Sequence, residues 1–455
     1  MLLTEPLAIL AVATLVVMVL IVRLRLNAFL ALLASTVLVG LLSPRVPLAE
    51  VMTETAQQFG GMVGRIGIAL AMAAIVGQCL TASGAADRIV RRFVAWLGEK
   101  RASLSLVASG YVLSVPVFFD TVFYLLVPLA RAMSMRLGGR QYVRLVLAIS
   151  AGASSTHVFV PPTPGPLVMA ATLGVDVGLV MLVGLLVALP ASLCGWLYAV
   201  WIDRRLGITI RPAPGETLER LEDTASRPES ELPSVLASAL PIALPVGLIT
   251  AGTLARGFGG AGVTAVPLAF LGNPNLALMV AAVAALWVLA RHRRLTVAQL
   301  SGTLETAVAS AGMIILITGA GGAFGGMLVR AGVGEALGGL SAAIHLSPLV
   351  LGFLLAALFK TAQGSGTVTM ITVSAILKPL VDASPPSHHV VYVVMAVGAG
   401  SLVGQWMNDS GFWIFRTMTG LTEVETLKTK SVMMAVLGFT AMAITLLASR
   451  LLPLV

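Results

Sequence analysis

Thr361-Ala362-Gln363-Gly364-Ser365-Gly366-Thr367-Val368-Thr369 separates two apolar runs, residues 348–359 and 370–380. Neither run reaches the roughly 20 apolar residues that a membrane-crossing helix needs. A small, hydroxyl-rich break at membrane depth is tolerated only where the backbone is buried in protein or lines a wet cavity. The stretch therefore reads as the tip of a re-entrant hairpin that holds a polar solute. Three more breaks of this kind occur along the chain, and together they define one expected transport site.

Composition sets the class. Of 455 residues, 58% are hydrophobic and 11% charged, more apolar surface than a water-soluble fold of this size can hide. The expected fold class is an all-α polytopic membrane protein. Glu5 stands near the N-terminus without a basic region before the first apolar run, so residues 7–22 read as a span rather than a cleaved signal. Cys79 and Cys194 both sit in apolar runs and read as buried thiols, not as a disulfide framework. The net charge of +9 does not point to nucleic acid, because the basic residues cluster at span ends as orientation signals do.

Taken in order, residues 7–22, 28–42 and 60–80 read as spans, the third followed by a basic loop over 85–101. Residues 103–130 are interrupted by Pro116-Val117-Phe118-Phe119-Asp120. Basic loops on both flanks place its ends on one side of the membrane, as a hairpin requires. Residues 145–173 form a span broken at Ser154-Ser155-Thr156-His157 and Pro161-Pro162-Thr163-Pro164-Gly165-Pro166, where proline removes donors and blocks the helix. A span over 177–201 ends the first half (1–205). Residues 206–232, polar and rich in Pro, Glu, Arg and Ser, read as a cytoplasmic linker.

The second half, residues 233–455, repeats the plan. Spans at 235–254, 275–289 and 306–329 precede the hairpin over 348–380. A span over 390–418 is broken at Asn408-Asp409-Ser410-Gly411, and Lys428 and Lys430 precede a last span at 431–447. Threaded this way, most of the 29 Lys and Arg residues, Lys430 included, fall on the cytoplasmic side. Both termini then face outward. Gly77, Leu80, Gly84 and Asp87 match Gly325, Leu328, Gly332 and Glu335 at one constant offset. Elements of the two halves run in opposite directions, so the expectation is an inverted repeat of about five spans and one hairpin per half, with the site at the midplane.

The four breaks supply the candidate site. Each ends one short helix and starts another, so free amide donors and a positive helix end aim at the centre, an arrangement suited to a carboxylate. The expected substrate-binding residues are Phe119, Asp120, Thr121, Ser155, Thr156, His157, Thr163, Gln363, Gly364, Ser365, Thr367, Asn408, Asp409 and Ser410. Their hydroxyls and amides suit a polyhydroxylated solute. Asp120 and Asp409 lie at membrane depth, where a carboxylate either carries a proton or caps a half-helix. His157 titrates near neutrality and is a third proton-coupling candidate. Lys360 precedes the hairpin tip and either attracts an anion or snorkels outward. His345, His388 and His389 lack carboxylate or thiol partners at ligand spacing, so no metal is expected.

At these residues the chain resembles the gluconate permease (gluconate:proton symporter) family of the ion transporter superfamily. The resemblance is carried by Asn27-Ala28-Phe29-Leu30-Ala31-Leu32-Leu33, Pro116-Val117-Phe118-Phe119-Asp120 and Thr156-His157-Val158-Phe159-Val160-Pro161-Pro162-Thr163-Pro164-Gly165-Pro166. Thr361-Ala362-Gln363-Gly364-Ser365-Gly366-Thr367-Val368, Asn408-Asp409-Ser410-Gly411-Phe412-Trp413 and Thr426-Leu427-Lys428-Thr429 continue it in the family's order. The resemblance implies proton-coupled uptake of sugar acids or related carboxylates across the bacterial inner membrane. It also implies a homodimer whose transport domain slides against a scaffold, with lipid around it and no cofactor beyond the coupling ion. Lys360 stands where gluconate carriers tend to have Arg, and Thr163 where they tend to have His, so the substrate stays open. Family members also carry D-serine. Two other classes compete. A sodium/proton antiporter on the same fold would favour paired carboxylates over hydroxyls, and a membrane enzyme would need a nucleophile–base set that the sequence lacks.

Overall fold

The structure, a computed structural model, describes residues 5–98, 101–136, 139, 141–210, 231–257, 265–333, 335–336, 347–407 and 409–454. Among these, every regular element is helical. The first half contains α1 (Pro6–Met18), α2 (Ala28–Leu42), α3 (Val51–Ser83), α4 (Ala85–Leu97), α5 (Ala102–Leu113), α6 (Phe119–Arg136), α7 (Tyr142–Phe159), α8 (Pro164–Leu173) and α9 (Val177–Leu206). The second contains α10 (Val235–Gly257), α11 (Ala265–Leu271), α12 (Pro274–Arg293), α13 (Val297–Arg330), α14 (Pro348–Gln363), α15 (Gly366–Ala383), α16 (Val391–Gly400), α17 (Ser410–Thr419), α18 (Glu423–Thr426) and α19 (Val432–Leu451). A π-helical turn, Leu427–Ser431, joins α18 to α19. Eight helical stretches among the described residues are long and apolar enough to cross a membrane.

Local chemistry sets the helix ends. Thr296 and Gln299 form a reciprocal capping box at the start of α13, satisfying donors that a helix N-terminus leaves open. Asp176 caps α9 by accepting from the Leu179 amide at 3.0 Å. The carboxyl ends of α3 and α13 are followed by Gly84 and Gly332, at φ +81° and +78°, a left-handed conformation that costs glycine little.

Two groups of helices pack internally. In one, α3 lies along α13, with α2 on α13 and α12 on α3. In the other, α7 packs between α5 and α9, α14 lies on α16, and α19 covers α9 and α16. The α5–α7 crossing is unusually close. A Cβ at Gly152 would stand 2.1 Å from the Val107 carbonyl oxygen, and one at Gly110 would stand 2.7 Å from that of Ile149. Small residues let membrane helices approach in this way and gain dispersion contacts.

Several expectations need correction. The basic loop expected over 85–101 contains the helix α4, with Ile89 and Val90 buried. Spans expected at 60–80 and 306–329 are the cores of far longer helices, α3 and α13, because the polar residues before them, Gln57 and Gln299 among them, are helical too. At about 1.5 Å per residue, 33- and 34-residue helices exceed the roughly 30 Å hydrocarbon core. The helix α11 had no counterpart in the sequence reading. Most of the expected linker, residues 211–230, lies outside the described residues, as does His345.

Gly152→Ala is expected to lower the melting temperature of the purified protein, at a cost of about 1–3 kcal/mol, because the methyl group meets backbone rather than a flexible side chain. Gly60, exposed on α3 with open space around it, is the control. Gly60→Ala should leave stability unchanged or raise it by about 0.5–1 kcal/mol.

Candidate functional site

Each of the four regions holds a break in a helix, but the break expected at Ser154-Ser155-Thr156-His157 is not one: α7 runs on through these residues to Phe159, and the interruption comes at the prolines, which remove donors. The chain leaves α5 at Leu113 and resumes at Phe119, leaves α7 at Phe159 and resumes at Pro164, leaves α14 at Gln363 and resumes at Gly366, and leaves α16 at Gly400 and resumes at Ser410. Three of these junctions line a cavity of about 160 Å³. The α7 side of the fourth contributes Ser154, His157 and Val158.

An ion pair holds the site together. Lys360 in the last turn of α14 is paired with Asp409 and also donates to the Gly364 carbonyl at the hairpin tip. Both side chains are nearly enclosed, at 4% and 9% exposure. The second Asp409 oxygen accepts from Gln405 Nε2 at 2.5 Å and from the Phe412 amide at 3.1 Å. Asp409 therefore caps α17 and fastens the α14–α15 break to the α16–α17 break at once. Removing one member of such a pair leaves a buried charge uncompensated, at a cost of about 3–5 kcal/mol.

Around this pair stand the other charged groups. Asp120, in the first turn of α6, lies within electrostatic reach of Asp409 and Lys430. Lys430 projects from the π-helical turn, is fully buried, and donates to Ser154 Oγ at 3.1 Å. Its amine also sits 4.3 Å from the centre of the Phe119 ring. His157 meets Phe118 edge to face with centroids 6.3 Å apart, and its Nδ1 is buried without a hydrogen-bond partner. Ser365 caps α15, accepting from the Val368 amide at 3.3 Å.

The cavity thus gathers Phe119, Asp120, His157, Lys360, Ser365, Thr367, Asp409 and Ser410 from the expected set. Lys360 points inward and does not snorkel. Gly364 contributes its carbonyl to Lys360. Thr121, Ser155, Thr156 and Thr163 do not line the cavity. Ser155 turns back to the Ala151 carbonyl at 2.8 Å, and Thr163 to that of Val160 at 2.6 Å. Thr163 instead borders a second, very small cavity with Pro116, Phe118 and Ala311. Thr156 is buried with its hydroxyl unpartnered. Gln363 ends α14, and Asn408 lies outside the described residues.

Lys430 is the chief omission from the expected site, together with Ser154, Ser401 and Gln405. The sequence reading placed Lys430 among cytoplasmic loop charges. Helical spacing could have found Ser154, which lies three and four residues from His157 and Val158 on one face of α7; for Lys430 the sequence carries no such signal, because a π-helical turn sets its direction.

Asp409→Ala is expected to destabilise the protein by about 3–5 kcal/mol, because the Lys360 ammonium is left buried and unpaired. Adding Lys360→Met should restore most of that loss. Thermal melting of both single variants and the double variant checks this; additive losses would contradict the pairing.

Comparison with known proteins agrees with this architecture. The profile described as "GntP family permease" matches residues 5–451. The chain is 33% identical to a gluconate permease of Pseudomonas aeruginosa, over 95% of each chain. It is 32% identical to a low-affinity gluconate transporter of Escherichia coli K12, over 97% of each. A crystal structure of the Alcanivorax borkumensis YdaH transporter shares the fold, with a TM-score of 0.62 and 14% identity over 94% of this chain and 98% of that one. With its family profile, full-length relatives and helical architecture in agreement, this chain belongs to the GntP permease family.

Proposed function

We propose that the protein is a secondary active transporter of the bacterial inner membrane that takes up gluconate or a related small hydroxy carboxylate together with protons. One observation carries the reading. A cavity at the meeting point of interrupted helices is lined by two lysines, two aspartates, a histidine and several hydroxyls. Ionisable groups inside a membrane protein are costly and mark substrate and proton paths. The gluconate permeases and transporters among its relatives support the choice of substrate.

Of the three proton candidates, Asp120 is the carrier in this reading. Asp409 is committed to Lys360, Gln405 and the end of α17. Asp120 faces the cavity in the α6 first turn. His157 borders the cavity from α7.

The inverted repeat is part of the same proposal, with halves at 1–205 and 233–455 joined by the 206–232 linker and both termini outside. Its support is a set of paired details. The left-handed glycines after α3 and α13 occupy matching places. Arg293 donates to the Ala82 carbonyl beside Gly84, while Arg45 pairs with Glu335 beside Gly332 at 2.8 Å. In the repeat, α5–α6 corresponds to the re-entrant hairpin α14–α15, and α7–α8 to α16–α17.

We further propose an elevator-type motion. The cavity is lined from α6, α7, α14, α15, α17, α19, the π-helical turn, the 401–405 segment and the junction residues Ser365 and Asp409, and among the described residues by nothing from α2, α3, α12 or α13. A body that contains the entire site can carry it past a scaffold of those four helices. The homodimer rests on the family resemblance alone.

Protein in liposomes with an inward proton gradient should accumulate radiolabelled gluconate, and a protonophore should abolish the effect. A sodium gradient alone should give nothing. Failure of every hydroxy acid and of D-serine to accumulate would overturn the reading, and sodium–proton exchange without organic solute would favour the antiporter. Asp120→Asn should cut gradient-driven uptake by about tenfold or more while leaving gluconate counterflow measurable.

A further inference from the structure

The charged groups of the cavity are not equally committed. Lys360 has Asp409 and the Gly364 carbonyl. Asp409 has Lys360, Gln405 and the Phe412 amide. Lys430 is fully buried, yet among the described residues no carboxylate lies within ion-pair distance of it. Its amine has one hydroxyl, Ser154 Oγ, and one aromatic face, Phe119.

Those contacts are insufficient. Burying an ammonium costs several kcal/mol even after relaxation. A desolvated cation–π contact returns about 2 kcal/mol, and a hydrogen bond to a charged donor about 1.5–3 kcal/mol. An ammonium has three donors, and the hydroxyl occupies one. The amine also borders the cavity rather than the lipid.

Its position is a consequence of the π-helical turn. The i→i+5 hydrogen bonding of a π-helical turn over Leu427–Ser431 rotates the chain relative to an α-helix, and such turns recur at functional sites. Thr429 anchors the turn by donating to the Glu425 carbonyl at 2.7 Å. Lys430 is brought inward against α6 and α7 as a result.

We infer that Lys430 receives the substrate's carboxylate and so restricts the carrier to small monoanions, with the polyol end of the solute toward Ser365, Thr367 and Ser401. This rests on the transport reading above. With one proton taken up, the charges balance for such a solute. Asp120, Asp409, Lys360 and Lys430 sum to zero when all are ionised and His157 is neutral. A bound monocarboxylate leaves one negative charge in excess, and one proton on Asp120 cancels it. Anion on Lys430 and proton on Asp120 therefore favour each other's binding.

The test compares wild type, Lys430→Gln and Lys430→Arg as full-length protein, with gluconate and with the polyol in which an alcohol replaces its carboxylate. Binding is read by thermal shift and transport by liposome uptake. Wild type should respond to gluconate and not to the polyol. Lys430→Gln should melt no lower than wild type without ligand, while its half-saturating gluconate concentration rises about 30-fold or more. Lys430→Arg should stay within several-fold of wild type. Unchanged gluconate affinity in Lys430→Gln, or equal binding of polyol and acid by wild type, overturns the inference. Binding without accumulation removes the transport reading and leaves the Lys430 result standing. Absence of binding by gluconate and by every other carboxylate tried removes both.

Discussion

The Lys360–Asp409 ion pair is the constraint on which the site depends. It ties the end of α14 to the start of α17, two helix ends separated along the chain by α15 and α16. Each partner also satisfies broken backbone, Lys360 at the Gly364 carbonyl and Asp409 at the Phe412 amide. Interrupted helices in a bilayer leave amides and carbonyls that lipid cannot solvate. Here the interruptions are stabilised by charged side chains, which in turn are tolerable only because the interruptions supply dipoles to face them. Neither feature would survive alone.

Packing elsewhere leaves this arrangement room. Glycine contacts such as Gly110 and Gly152 draw α5 and α7 together without bulky side chains between them. Phe119, Phe123 and Phe415 stack in sequence, with centroids 5.5 and 5.3 Å apart, and join α6 to α17 beneath the cavity. The floor of the site is thus a rigid aromatic column, while its walls are the polar ends of helices.

Much of this was legible from the sequence, for physical reasons. Glycine, proline and hydroxyl residues inside apolar runs have few explanations other than broken helices, so the regions of the four junctions and the convergence of Asp120, His157, Ser365 and Asp409 were legible, while the inward direction of Lys360 was not. What failed was direction. Ser155, Thr156 and Thr163 sit inside a recognised break, but the turn of the helix carries them away from the cavity. Lys430 failed differently. It follows Lys428 and Thr429 near a span end, where cations ordinarily orient a protein, and only the π-helical register turns it inward. The polar first turns of α3 and α13 lie outside the apolar runs at 60–80 and 306–329, yet both are helical, with a capping box at the start of α13 and long-range packing of α3 along α13.

The central claim is that, once a monoanion occupies the cavity, the buried charges balance only if one proton binds with it. The most direct measurement mixes gluconate with purified protein in weakly buffered solution containing a pH indicator and counts protons absorbed against gluconate bound, over a series of pH values. The account predicts that uptake rises toward about one proton per anion as pH increases, because linkage requires the site to gain protons when the anion favours the protonated form. Binding with no proton taken up at any pH would contradict it.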